Sequence, residues 1–361
     1  MGNQTRFASL DGWRAVSITL VLGAHCKVTI GFPKSLDSVF GWLFNGDLGV
    51  RFFFVISGFL ITHLLIREFR QTGKIGLQNF YMRRALRILP VYFAYLFVIF
   101  LLQLFTEWHQ PLTIWIGNLT FTTNFLPRTW TTGHLWSLAV EEQFYLLWPL
   151  LLVLVGLSRN ENRAYYILAV PLIVAPISRV ISYINVSPAI IHPLFQGYSF
   201  LNYFDSLAIG CIAAVALTKH KDGISAVLCQ LKLESLLSGI VLIAIPYILS
   251  KLFLFGIFTV PFGNTCQAVG FAILLLQSIL FPELFKPLNW PVIKIVGVLS
   301  YSIYIWQEIF CSNPRYFGFS NYWFMSFPGW LLAACSMATF SYYGIEKPLM
   351  GMRARLRPTN Q

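Results

Sequence analysis

Long apolar runs alternate along the chain with short polar connections that carry most of its cations. The hydrocarbon core of a bilayer is about 30 Å thick, so a spanning helix needs about 20 mostly apolar residues. Runs of that kind fall near residues 13–30, 48–66, 88–105, 138–157, 164–184, 198–217, 236–255, 265–281, 292–310 and 327–345. One further stretch, 112–126, is shorter and holds Asn118, Thr120, Thr122, Thr123 and Asn124. It predicts a re-entrant or interfacial segment.

The cations decide between that prediction and an eleventh crossing. If 112–126 crossed, every later connection would change sides, exporting Arg159, Arg163, Lys219, Lys221, Lys232, Lys347, Arg353, Arg355 and Arg357. If it does not, those residues lie inside with Arg6, Arg67, Arg70, Lys74, Arg83, Arg84 and Arg87, as the positive-inside rule requires. Both termini are then expected in the cytoplasm.

Composition supports this fold class, all-α and polytopic, with about ten transmembrane helices. The 361 residues are 57% hydrophobic and 11% charged, against about 25% charged in ordinary soluble domains. Mean hydropathy is +0.66. The net charge of +12 does not point to nucleic acid, because the cations sit between apolar spans. Six cysteines without a CxxC pair suggest neither a disulfide framework nor a metal site. The first apolar run opens with Asp11 and Arg14 and lacks a small-residue cleavage site, unlike a signal peptide. We expect one membrane domain over 1–350 and a short basic cytoplasmic tail over 351–361.

Charges inside such spans are expensive, roughly 2.5–3.5 kcal/mol each at the bilayer centre, and they mark the candidate chemistry. Glu141 and Glu142 open the apolar run that follows Trp136-Ser137-Leu138. Arg14 and His25 lie 11 residues apart on the first run, close to three whole helical turns, so they share a face. His25 with Glu142 or Glu141 is the expected catalytic centre, the imidazole acting as base and the carboxylate orienting it. Ser57-Gly58 is a small pair that permits close helix approach or leaves room for substrate. Arg84 and Arg87 share a helix face and suit phosphate groups; taken alone, an anchor on anionic lipid headgroups explains them more simply. Asp205 and Tyr301 add polar groups to later spans.

Taken together, these motifs resemble the membrane-bound acyltransferase-3 family. The resemblance rests on Arg14-x10-His25, the stretch Ser57-Gly58-Phe59-Leu60-Ile61-Thr62, and Arg84-x-x-Arg87 before Pro90. It rests also on Trp136-Ser137-Leu138-x-Val140-Glu141-Glu142-Gln143-Phe144-Tyr145 and Asp205-x-Leu207-x-x-Gly210. Ser300-Tyr301-Ser302-Ile303-Tyr304 and Glu346-Lys347-Pro348 complete it. Two positions depart: Gln307 stands where many relatives have histidine, and Tyr203 where many have arginine.

The resemblance implies a bacterial inner-membrane O-acyltransferase moving an acyl group, often acetyl, from acyl-CoA to a carbohydrate hydroxyl. Lipopolysaccharide, exopolysaccharide and lipid-linked glycans are acceptors of this kind, and a macrolide-like small molecule is an alternative. Arg14, Arg84 and Arg87 would hold the coenzyme A phosphates, while Ser57, Trp136, Asp205 and Tyr301 would face the substrate. No permanently bound cofactor and no metal is expected. Direct transfer and a covalent acyl-histidine relay both remain open. A flippase for a lipid-linked glycan is the competing function, since intramembrane charges also line transport pathways.

Overall fold

The computed structural model describes residues 7–154, 163–184, 198–318 and 322–352. Among them are ten helices of thirteen residues or longer. In chain order these are α1 (Ala8–Cys26), α2 (Gly46–Thr72), α3 (Leu77–Phe105), α4 (Trp136–Leu154) and α5 (Arg163–Ile184). They continue as α6 (Phe200–Lys219), α7 (Lys232–Lys251), α8 (Asn264–Leu280), α9 (Pro291–Cys311) and α10 (Gly329–Ser341). Each falls on one of the ten expected runs. The described residues hold no β-strand; one isolated parallel bridge joins Ile30 and Ser326.

Among the described residues, eight helical segments are long and apolar enough to cross a membrane. A multi-pass, all-α membrane protein is the only architecture that such a set allows, because lipid offers backbone groups no partner and each span must satisfy its own. The first and last expected runs are helical but fall below that standard. Asp11, Arg14 and His25 dilute α1, and α10 is short before its backbone widens into a π-helical turn over Tyr342–Glu346. The segment at 112–126 forms a helix only over Leu112–Leu119. Eight residues rise about 12 Å, well short of a crossing. Residues 155–157 of the fourth expected run, the loop cation Arg159 and the tail beyond 352 lie outside the described residues.

The chain forms two compact units. The first takes residues 1–14, 50–75 and 137–294. In it α5 packs on α6, α6 on α8, and α8 on α7. The α2 segment meets α6 at Gly58 and Gly210, where an added Cβ would run into the carbonyl oxygens of Leu207 and Val55 respectively. The small residues of both motifs therefore serve close backbone approach, the packing that apolar solvent favours. Phe52 of α2 stacks on Phe271 of α8 with ring centroids 4.2 Å apart, and Arg51 hydrogen-bonds Gln267.

The second unit takes residues 15–49, 76–136 and 295–361. Tyrosines on its helices tie the irregular 106–135 segment down. Tyr92 donates to the carbonyl of Asn118 at 2.8 Å, Tyr95 to that of Thr131, and Tyr304 to that of His134 at 2.8 Å. Near the end of α1, Cys26 and Cys311 pack with Trp330 and Ala334 of α10. Ser302 hydrogen-bonds the buried carboxylate of Glu346, linking two of the sequence motifs.

Candidate active site

His25 occupies the last turn of α1, and α9 supplies its partners. Its Nδ1 lies 3.2 Å from Oε1 of Gln307 and 3.8 Å from Oε2 of Glu308. An amide oxygen only accepts, so Nδ1 carries the proton in that hydrogen bond. Nε2 is then the unprotonated nitrogen. The imidazole is 25% exposed, whereas the Glu308 side chain is 7% exposed.

Behind the carboxylate stands a second histidine. His134 lies in the 3₁₀ turn Gly133–Leu135 that leads into α4. Its Nε2 donates to the carbonyl of Ile305 at 3.1 Å, and its Nδ1 lies 4.0 Å from Glu308 Oε2. One carboxylate thus faces two imidazoles. Tyr95 and Tyr304 pack their rings on His134 at centroid distances of 5.4 and 5.5 Å. Trp130 flanks His25 at 6.4 Å. These rings keep the polar centre dry, which strengthens each charge interaction inside it. Gln307 Nε2 and Glu308 Oε2 have no hydrogen-bond partner among the described residues. Both residues are buried, so the exposed edge of the centre is the His25 imidazole.

The donor atoms of His25, Glu308 and Cys311 all lie within 4.8 Å of one another. These residue types can ligate a zinc-like ion. Here the Cys311 thiol is turned to the Glu308 carbonyl, 3.8 Å away.

The remaining residues singled out from the sequence divide between the two units. The second unit, which contains His25, also holds Arg84, Arg87, Trp136 and Tyr301. Arg84 lies over the ring of Phe80 at 5.9 Å, Tyr301 donates to the Ile88 carbonyl at 2.7 Å, and Trp136 is buried. The first unit holds Arg14, Ser57, Glu141, Glu142 and Asp205. Ser57 hydrogen-bonds the Tyr145 hydroxyl. Asp205, fully buried, pairs with Arg179 and accepts from Thr265 at 2.6 Å. Glu141 and Glu142 are half-buried on α4.

Sequence reasoning had passed over Glu308, His134 and Arg179. A carboxylate inside the apolar 292–310 run was the available signal for Glu308. In the sequence Gln307 stands out only as a departure from a histidine, and it is this glutamine that holds His25.

Comparison with known proteins decides the family. Residues 7–346 match the family described as an acyltransferase domain. The chain belongs to the acyltransferase-3 family. Two curated relatives show the extent of likeness. "Putative peptidoglycan O-acetyltransferase YrhL" of Bacillus subtilis (strain 168) is 27% identical over 94% of this chain and 54% of its own length. "O-acetyltransferase OatA" of Staphylococcus aureus (strain NCTC 8325) is 29% identical over 94% of this chain and 56% of its own. The chain thus spans about half the length of these curated relatives. No solved structure matches it.

Proposed function

We propose that this chain is the membrane O-acyltransferase of its family, moving acetyl from acetyl-CoA to a hydroxyl of a cell-wall or other exported glycan. The observation that carries the reading is the His25 centre: an accessible imidazole, oriented through Nδ1 by Gln307 at 3.2 Å and backed by a buried carboxylate at 3.8 Å. Both named relatives carry O-acetyltransferase in their names, and one name specifies peptidoglycan. Peptidoglycan is accordingly the first acceptor to try.

In the proposed step, Nε2 of His25 removes the proton from the acceptor hydroxyl as its oxygen attacks the thioester carbonyl. The coenzyme A thiolate leaves and takes that proton from the imidazolium. The products are an acetyl ester on the glycan and free coenzyme A. Glu308 stabilises the transient imidazolium, and Gln307 keeps Nε2 turned to the hydroxyl. Arg84 and Arg87, with Arg14 on the helix that carries His25, would hold the donor's phosphates through bidentate guanidinium contacts. Glu142 and Glu141 are the alternative carboxylates for the same stabilising task. The reading places the chain in a bacterial cytoplasmic membrane, and the lysine and arginine pattern supports an orientation with both termini inside.

Radiolabelled acetyl-CoA supplied to the purified full chain in nanodiscs with peptidoglycan fragments tests the proposal. Label should move to the fragments with stoichiometric release of coenzyme A, and His25→Ala should abolish both while the protein keeps its thermal unfolding midpoint. A stable and fully active His25→Ala protein would remove the catalytic role.

A further inference from the structure

At one end of the first unit the helices leave a cavity of about 340 Å³. That is within the roughly 300–1,000 Å³ typical of small-molecule sites. It is framed by the last turns of α5 and α7, the first turn of α6 and the approach to α8. Ser182, Asn202, Thr259 and Asn264 line it with hydroxyls and amides, and Tyr183 and Tyr203 add aromatic rings.

Among the described residues the one charged side chain in the wall is Arg179, and its charge is already answered. The guanidinium pairs with Asp205 and donates through Nε to the Asn202 carbonyl at 3.0 Å. Nη1 donates to the Pro261 carbonyl at 2.6 Å and lies 3.2 Å from the Thr265 hydroxyl. Arg179 is 6% exposed and Asp205 fully buried. Every edge of the guanidinium is spent on protein, so it stiffens the wall and offers no bidentate grip to a phosphate. By contrast, the Thr259 and Asn264 side chains make no hydrogen bond to any described residue. A neutral cavity with unspent hydroxyl and amide groups beside aromatic rings suits a neutral, hydroxyl-rich ligand. It does not suit an anion.

We infer that this cavity is a saccharide-binding subsite that holds part of the acceptor glycan, with Arg179 and Asp205 as positioning residues. The inference rests on the transfer reading above. The proposed topology adds a second support: Lys219, Lys221 and Lys232 mark the opposite end of α6 and α7 as cytoplasmic. The cavity end then faces outward, where an exported glycan is found.

The test uses the full chain in nanodiscs, without donor, and the N-acetylglucosamine tetramer as probe in saturation-transfer NMR. Parent and His25→Ala proteins should bind alike. Tyr183→Ala and Asn264→Leu should weaken binding about tenfold, the usual scale for losing one or two contacts. In transfer assays the same variants should raise KM for the tetramer with little change in kcat. Unchanged binding and KM in both variants would overturn the inference while leaving the transfer reading intact. Competition by inorganic phosphate would overturn it in favour of an anion site. Tetramer binding that needs Tyr183 and Asn264, in a parent that acetylates no glycan, would keep the subsite and refute the transfer reading.

Discussion

Glu308→Gln is the sharpest perturbation of the proposed centre, because it removes a charge and almost nothing else. Oε2 lies 3.8 Å from His25 Nδ1. At an effective dielectric of about 20, two unit charges at that distance attract by about 4 kcal/mol. The imidazole is 25% exposed, and solvent screening of that kind leaves roughly half, about 2 kcal/mol. At 1.36 kcal/mol per decade this is about a 30-fold loss in kcat. The amide keeps the shape of the acid, and a side chain so deeply buried gains little stability from its charge. The unfolding midpoint should therefore hold or rise. Single-turnover transfer of radiolabelled acetyl, run beside thermal unfolding of the same preparation, reads both quantities. A Glu308→Gln enzyme with the parent's kcat would show that Glu308 does not stabilise the imidazolium. A collapse of the fold would make it a structural residue.

Glu142→Gln, measured in parallel, should cost less than Glu308→Gln if α9 supplies the imidazolium's partner; the reverse order in kcat would return that role to α4. Arg84→Ala with Arg87→Ala should weaken acetyl-CoA binding at least tenfold by isothermal titration while expression stays normal, and lysine at both positions should restore only part of it, since ammonium lacks the bidentate fork. Asp205→Ala should destabilise the protein by about 3–5 kcal/mol, because Arg179 is left buried and uncompensated; a thermal midpoint within a degree of the parent's would contradict the ion pair's structural weight. Gly223→Cys, in the loop helix Lys221–Gln230, should react with a membrane-impermeant thiol reagent only after the membrane is opened. Labelling in intact cells would invert the topology.

Ten helices were legible in the sequence because a span in lipid must close its own backbone hydrogen bonds, so local hydropathy alone dictates it. For the segment at 112–126 hydropathy alone was ambiguous, and the sided lysine and arginine distribution decided against a crossing; its helix spans only Leu112–Leu119. Residue chemistry also singled out His25, since an imidazole within an apolar run needs a polar partner. Which partner meets it was another matter. Gln307 stands 282 residues away, and its approach depends on how α1 and α9 are rotated and packed, which no local pattern encodes. Asp205 shows the same division. Its cost inside an apolar helix was evident from sequence, but only the packing of α5 on α6 brings Arg179 to it and makes it the buried partner of a residue that lines the cavity. Hydropathy acts along one segment at a time, whereas charge pairing is settled between segments, and the tertiary structure alone brings those segments together.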